Sequence, residues 1–411
     1  MKLSRQEFNL HMLPILLAQG FGVLCGIVGV KVTSQLVSPE DFGRYGIFLT
    51  FTTTGAVVVH AGLIKYVSRH WAGAENRAAL FAGIYQSWKR KLPWLLLPAI
   101  GGGMVLGSPG AMAGIMIAAA LLTLFAVVQA ALQAARKNWQ DCGLSAIGAL
   151  TRTFGPPLLY FASGGQWFGL WLGFAGHALV TTASGLWALH GYWGVGKGKA
   201  LPLATDPAYT GGLFVTLAIT AWILNSMTRW LVAACFGAET AGHFTLASNV
   251  ALIVPTVLGG IFIQYLQPVL FLRADQPEAT HAGLLRFVDR MALSYTLVSL
   301  LGLVVLNWIT PFLVGPIIDP AYLPALVWIF PAGCFGLNLI TGQFYHTVLL
   351  AARRESACGP VDLVTAAVLV IGCGISAGLG ETAFRWWLFG STLIPWLVKR
   401  PLAHRALFKT A

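Results

Sequence analysis

The sequence predicts an all-α polytopic membrane protein of twelve transmembrane helices arranged as two six-helix halves, and three observations carry that prediction. Of 411 residues, 57% are hydrophobic and 10% are charged, where a soluble domain carries about 25% charged residues; mean hydropathy is +0.73. Charge-free apolar runs recur at lengths that cross a bilayer, roughly 20 residues each. Basic residues gather in alternate connections, as expected when one set of loops stays in the cytoplasm. Six cysteines, Cys25, Cys142, Cys235, Cys334, Cys358 and Cys373, lie scattered in apolar stretches without a CxxC pair, so neither a disulfide framework nor a metal site is expected.

Each span follows from a run. The first, 10–36, comes after Lys2 and Arg5 and is too long for the apolar segment of a signal peptide, so it reads as a retained helix. The second covers 44–68. From Leu92 to Ala135 there is no charge, and only Gly107-Ser108-Pro109-Gly110 interrupts the run; such a turn signal yields spans 92–108 and 111–135. Thr153–Gly196 behaves alike and gives 141–162 and 166–190. The second half supplies 209–236, 241–271, 285–314, 322–350, 361–379 and 384–400.

Charge orients this bundle. Lys2 and Arg5 precede span 1, and Lys65, Arg69, Arg77, Lys89, Arg90 and Lys91 follow span 2. Arg136, Lys137, Lys197, Lys199, Arg273, Arg286, Arg290, Arg353 and Arg354 occupy later even-numbered connections, and Lys399, Arg400, Arg405 and Lys409 form the tail. The opposite loops hold Arg44 and Arg385 with Glu40, Asp41, Glu239, Asp319 and Glu381. Both termini are therefore expected in the cytoplasm. The net charge of +12 is topological and no nucleic-acid footprint.

The halves share sequence. Asp41-Phe42-Gly43-Arg44-Tyr45 aligns with Thr240-Ala241-Gly242-His243-Phe244 at an offset of 199, and Leu63-Ile64-Lys65-Tyr66-Val67 aligns with Phe262-Ile263-Gln264-Tyr265-Leu266 at the same offset. Leu132–Lys137 matches Leu349–Arg354 at an offset of 217. An even number of spans per half gives both halves one orientation, with residues 1–200 as one six-helix lobe, residues 201–411 as the other, and a linker near 191–208.

Ser38-Pro39-Glu40-Asp41-Phe42-Gly43, Gly62–Arg69 and Met227-Thr228-Arg229-Trp230-Leu231-Val232 resemble segments of the polysaccharide-type (Wzx-like) lipid-linked oligosaccharide flippases. Pro311–Val314, Pro320-Ala321-Tyr322 and Ala351-Ala352-Arg353 resemble their second-half pattern. These flippases share a superfamily, multidrug/oligosaccharidyl-lipid/polysaccharide (MOP), with the multidrug and toxic-compound exporters (MATE). The resemblance implies two pseudo-symmetric lobes around a central cleft, a MATE-like fold that opens alternately to each side. It also implies a bacterial inner-membrane location and an undecaprenyl-diphosphate-linked glycan as cargo, with polysaccharide polymerase and glycosyltransferase machinery as partners. In the flippases that the chain resembles, basic residues occupy the positions matching Lys31, Lys65 and Arg229.

Ionisable groups in the bilayer are functional candidates because they cost a few kcal/mol to insert. Lys31, Arg152 and Arg229 fall inside the expected spans. Lys31 precedes Gly43 by 12 residues and Arg229 precedes Gly242 by 13, so the two stand at matching depth in the two halves. Such a pair would hold a diphosphate, the guanidinium as a fork and the ammonium as a point charge. Lys65 would collect phosphate at the cytoplasmic end. All 14 acids are placed outside span interiors, with Asp141, Asp289 and Asp362 at cytoplasmic ends. A cation-coupled exporter would be expected to bury a carboxylate. His60, His177, His243 and His346 lie in spans and could titrate as coupling groups, but each reads rather as a hydrogen-bonded packing histidine.

Gly191–Gly198 approaches a phosphate-binding loop but has Gly198 where Ser or Thr would hold magnesium, and it reads as a basic linker. The small-xxx-small pairs Gly22/Gly26, Gly169/Gly173 and Gly374/Gly378 predict close helix packing, and Trp71, Trp94, Trp139, Trp167, Trp193 and Trp396 predict an interfacial belt. Pro14, Pro93, Pro156, Pro157, Pro255, Pro268 and Pro331 predict kinks. No catalytic residue, cofactor or metal is expected. The leading function is a flippase moving a polyprenyl-diphosphate-linked oligosaccharide, such as an O-antigen, exopolysaccharide or capsule repeat unit, to the periplasmic leaflet. The alternatives are a multidrug/cation antiporter and a membrane glycan polymerase, ligase or acyltransferase.

Overall fold

Every apolar run within the described part of the chain is helical. The computed structural model describes residues 5–60, 62–71, 76–135, 137–190, 220, 226–274, 276, 280–352 and 354–408. Its helices are α1 (Arg5–Leu36), α2 (Pro39–His60), α3 (Leu63–His70), α4 (Arg77–Lys91), α5 (Leu96–Leu106), α6 (Pro109–Ala134), α7 (Asn138–Ala162) and α8 (Phe168–Leu189). After a helical stretch at 226–236 come α9 (Ala238–Ala251), α10 (Ile253–Ala274), α11 (His281–Leu313), α12 (Leu326–Ala351), α13 (Glu355–Gly378), α14 (Glu381–Gly390) and α15 (Arg400–Phe408). Among the described residues the only extended pairing is one isolated bridge, Val314 with Ile318.

Among the described residues, seven segments are long and apolar enough to cross a membrane: Leu17–Leu36, Pro109–Ala134, Phe168–Leu189, Ala238–Ile263, His281–Leu313, Pro320–Ala351 and Ala357–Gly378. Helices α2, α5 and α7 and the helical run 381–408 coincide with four further expected spans. The twelfth, 209–236, lies largely outside the described residues, as do the linker and its loop-like Gly191–Gly198 stretch. The chain is thus an all-helical, multi-pass membrane protein.

Local chemistry sets the breaks. Between α5 and α6, Gly107 takes φ 61°, a left-handed conformation natural to glycine, and the Ser108 hydroxyl accepts from the Ala111 amide at 3.2 Å. Expected span 2 ends early, because Gly62 takes φ 79° before α3. The last residues of that span fall in α3, and the region after it, expected as a cytoplasmic loop, is mostly helix, as the end of α3 and α4. Expected span 8 is two helices, broken at Leu252. Pro255 has no N–H to donate one turn back, and its own carbonyl accepts from the Tyr295 hydroxyl at 3.0 Å.

The chain divides into two compact units, Met1–Val37 with Arg44–Ile219, and Ser38–Gly43 with Thr220–Ala411. In the first, Val59, Leu63, Val67, Trp71, Leu80 and Ile84 form a buried cluster with Val127, Val128 and Leu189. Trp71 is 1% exposed and is a core residue, contrary to the belt expected for it, because α3 and α4 cover it. Helices α7 and α8 meet through glycine: a Cβ on Gly173 would stand 2.4 Å from the Gly155 carbonyl oxygen. Gly22, Gly26, Gly374 and Gly378 have nothing within 4 Å of a would-be Cβ. Their spacing puts each pair on one face, but those faces are uncovered.

In the second unit the segment Ser38–Gly43 packs against the start of α9. A Cβ on Gly43 would fall 1.9 Å from the Ala238 carbonyl oxygen, and one on Gly242 would fall 1.8 Å from that of Pro39. Pro39 with Ala238 and Gly43 with Gly242 are the pairs related by the offset of 199, so the contact is reciprocal. Ser38 caps α2 by accepting from the Asp41 amide at 3.2 Å. Phe42 meets Tyr322 edge-on at 6.4 Å, Tyr322 meets His243 at 5.8 Å, and His243 Nε2 bonds the Ala321 carbonyl at 3.2 Å.

Alanine at either glycine forces two backbones apart. Gly43→Ala and Gly242→Ala are each expected to cost about 1–3 kcal/mol, seen as a lowered thermal midpoint of purified protein in detergent. Gly22→Ala, in open space, is expected to stay within about 0.5 kcal/mol of the parent.

Candidate functional site

In the first unit, α7 is anchored on both sides of Arg152. Thr151 Oγ1 lies 2.7 Å from His177 Nδ1 on α8, and Thr153 Oγ1 donates to the Cys25 carbonyl of α1 at 3.3 Å. His177 also packs on Phe174, with ring centroids 5.4 Å apart, which is the packing role expected of it. Arg152 projects between these anchors and is exposed. A Cβ on Gly29 of α1 would touch Thr153 at 3.1 Å. Lys31, two residues and about 200° further round the helix, leaves from the opposite face and is also exposed. The two cations are therefore not brought together on one face, and among the described residues neither side chain has an acidic partner.

Arg229 belongs to the second unit, within the helical stretch 226–236, and is half-buried. Lys31 and Arg229 thus come from different units, one each. Lys65 falls in α3, and its side chain lies outside the described residues.

The second unit holds a charged cluster that departs from the sequence expectation in two ways. Lys399, expected as part of a cytoplasmic tail, is buried, with an 8% exposed side chain. Asp362, expected at a helix end, is the eighth residue of α13, about 10 Å along it, and its side chain is 13% exposed. The carboxylate touches the Lys399 ammonium through Oδ1 and His346 Nδ1 through Oδ2 at 3.0 Å. His346 is hydrogen-bonded, as expected of it, and its partner is the carboxylate of an ion cluster.

Three elements place these groups. His346 stands near the C-terminal end of α12, and Lys399 closes a π turn, Pro395–Lys399, between α14 and α15. Gly342, one turn before His346, makes room for the lysine: a would-be Cβ there meets its Cδ and Nζ at 3.4 Å. Beside this triad is a second cluster. Arg400 forks onto Asp289 of α11, with Nε–Oδ1 and Nη2–Oδ2 both 2.9 Å, and the Tyr345 hydroxyl donates to Asp289 Oδ1 at 3.1 Å. Consecutive residues, Tyr345-His346 on α12 and Lys399-Arg400 on the last helix, thus serve one carboxylate each way.

No protein-family model and no characterised relative matches the sequence. Solved structures do match its fold. An inward-facing multidrug resistance MATE family transporter of the MOP superfamily is 12% identical with a TM-score of 0.59, covering 98% of this chain and 99% of that one. A point mutant of the Vibrio cholerae MATE transporter VcmN is 14% identical with a TM-score of 0.60, covering 97% and 95%. VcmN in a bent form is 15% identical with a TM-score of 0.56, covering 97% of each. At these identities the likeness is one of fold, which is MATE-like along nearly the whole chain.

Removing one member of the buried pair leaves the other charge stranded. Lys399→Met is expected to cost about 3–5 kcal/mol, read as a fall in the thermal midpoint in detergent. Combining it with Asp362→Leu is expected to recover most of that loss.

Proposed function

We propose that this chain is a membrane transporter whose cargo is anionic, and that the cargo is a polyprenyl-diphosphate-linked oligosaccharide moved from the cytoplasmic to the periplasmic leaflet. The observation that carries the reading is the pair of exposed cations in the first unit, Lys31 and Arg152, which have no acidic partner among the described residues. A cation inside a span costs about 2.5–3.5 kcal/mol on insertion scales. One that forms no internal pair is best explained by a negative group that visits it. Arg229 supplies a planar fork suited to phosphoryl oxygens and Lys31 a compact charge. Lys65, on α3 at the cytoplasmic side, serves capture. The MATE-like fold supports transport over polymerase, ligase or acyltransferase chemistry, and an inside-negative potential favours outward movement of an anion by about 2.3 kcal/mol per charge per 100 mV.

A second reading, a multidrug/cation antiporter, is favoured by one observation of its own. Asp362 puts a largely buried carboxylate in the second unit, and the matching solved structures include a multidrug resistance transporter. The readings differ in the sign of the cargo.

Lys31→Ala and Arg229→Ala, reconstituted separately in proteoliposomes, are each expected to lower translocation of labelled polyprenyl-diphosphate oligosaccharide at least tenfold with normal insertion. Transport of that lipid at the parental rate by both variants, or export of organic cations in its place, would sink the flippase reading.

A further inference from the structure

Two helices, one in each half of the chain, carry a surface pattern that neither cargo reading uses. Helix α4 runs through a short 3₁₀ turn, Leu92–Leu95, into α5, and the exposed face of this run carries Gln86, Lys89 and Arg90, then Trp94, Leu97 and Met104. On α11 the exposed face carries Arg286 and Arg290, then Leu293, Leu297 and Val304. Gln86 with Arg286, Arg90 with Arg290, Leu97 with Leu297 and Met104 with Val304 are each 200 residues apart. Spacings of three, four and seven residues keep each set on one side of its helix. Each stripe thus changes from cationic to apolar within about one turn, and it does so at the same place in each half.

An apolar face left exposed on a membrane-spanning helix meets hydrocarbon, so the cations at its N-terminal end stand where hydrocarbon gives way to headgroups. Trp94 fits that boundary, which tryptophan favours. No neighbouring acid neutralises the cations. Helix α4 contains no acid, and the acid of α11, Asp289, is held by the Arg400 fork and the Tyr345 hydroxyl. Among the described residues Lys89, Arg90, Arg286 and Arg290 have no acidic partner. Two of the four are already steadied. Lys89 Nζ stands 4.7 Å from the centre of the Tyr85 ring, which stacks on Trp88 at 5.4 Å. Arg286 Nε donates to the Ala282 carbonyl at 3.4 Å. A steadied side chain has less rotamer freedom to lose when a ligand binds.

We propose that each stripe is a binding site for one anionic phospholipid, its phosphate bonded by Lys89 and Arg90 on α4, or by Arg286 and Arg290 on α11, and its acyl chains laid along the apolar residues that follow. Side chains one turn apart have Cβ atoms about 5–6 Å apart, so one phosphate reaches both arginines of α11. Trp94 to Met104 and Leu293 to Val304 each rise about 15–17 Å, close to half of a hydrocarbon core about 30 Å thick. That is the depth of one leaflet, a track that a free phosphate or an acidic protein surface would leave bare. A zwitterionic lipid would bring its own ammonium to a place already cationic, so a headgroup with net negative charge is selected. With the orientation expected from the loop charges, the leaflet is the cytoplasmic one. The inference rests on neither cargo reading.

The test counts lipids retained by the full-length protein in native mass spectrometry from detergent, with dioleoyl phosphatidylglycerol or dioleoyl phosphatidylcholine as the added lipid. The parent is expected to retain at least two molecules of phosphatidylglycerol and to bind them severalfold more tightly than phosphatidylcholine. Lys89→Gln combined with Arg90→Gln is expected to lose one of them, and Arg286→Gln combined with Arg290→Gln another. Lys137→Gln combined with Arg405→Gln removes two exposed cations elsewhere and is expected to lose neither. Excess inorganic phosphate is expected to displace neither lipid. If a glutamine pair fails to fold, Arg90→Glu and Arg290→Glu, each a single change on an exposed face, read the same losses. Parental retention by the stripe variants, an equal loss in the Lys137 and Arg405 control, displacement by inorganic phosphate, or equal binding of the two lipids overturns the proposal.

Discussion

A peptide group carried into hydrocarbon finds no water, so its N–H and C=O must bond within the protein. The rest of this structure depends on that constraint. It makes the described spans helical, and the Tyr295 hydroxyl adds a bond to the Pro255 carbonyl beside the break at Leu252. It also makes glycine a packing tool. Where Gly155 and Gly173 touch, or Gly43 and Gly242, backbones approach so closely that no side chain fits between them.

The same low polarity governs the charges. Arg400 and Asp289 meet where water reaches, with Arg400 45% exposed, so that pair contributes modestly as surface pairs do. Lys399 and Asp362 sit deeper, where two charges lose far more hydration than their attraction returns unless a third polar group assists. His346 is that group. Among the described residues Lys31 and Arg152 have no such internal compensation, which gives the first unit an electrostatic character of its own.

The spans were legible because they are long and free of charge. Helix α4 and the end of α3 were not, since Arg69, Arg77, Lys89 and Arg90 within them look like a loop to any reading that equates charge with the aqueous phase. Candidate cations inside runs, Lys31, Arg152 and Arg229, were legible for the converse reason. Lys399 was hidden by its neighbours, because Arg400, Arg405 and Lys409 follow it and suggest a solvated tail. Consecutive helical residues point about 100° apart, so Lys399 turns inward while Arg400 turns out. Asp362 was hidden likewise, since its distance from Glu355 and the preceding basic pair says little about which face it takes. The glycine pairs carry the same lesson: periodicity tells which residues share a face, and only packing tells which face is covered.

The six residues Ser38–Gly43 pack with the half of the chain that is synthesised last. At a translation rate of about 5–20 residues per second, the first turn of α2 leaves the ribosome on the order of 10–40 s before Ala238–Gly242 exists to receive it. In that interval the glycine-lined backbone surface at Pro39–Gly43 is without its match, inside or beside the insertion machinery. The order of synthesis therefore gives this protein a late docking step that joins early and late chain, and a nascent chain stopped anywhere before Gly242 lacks the surface on which its own second helix begins.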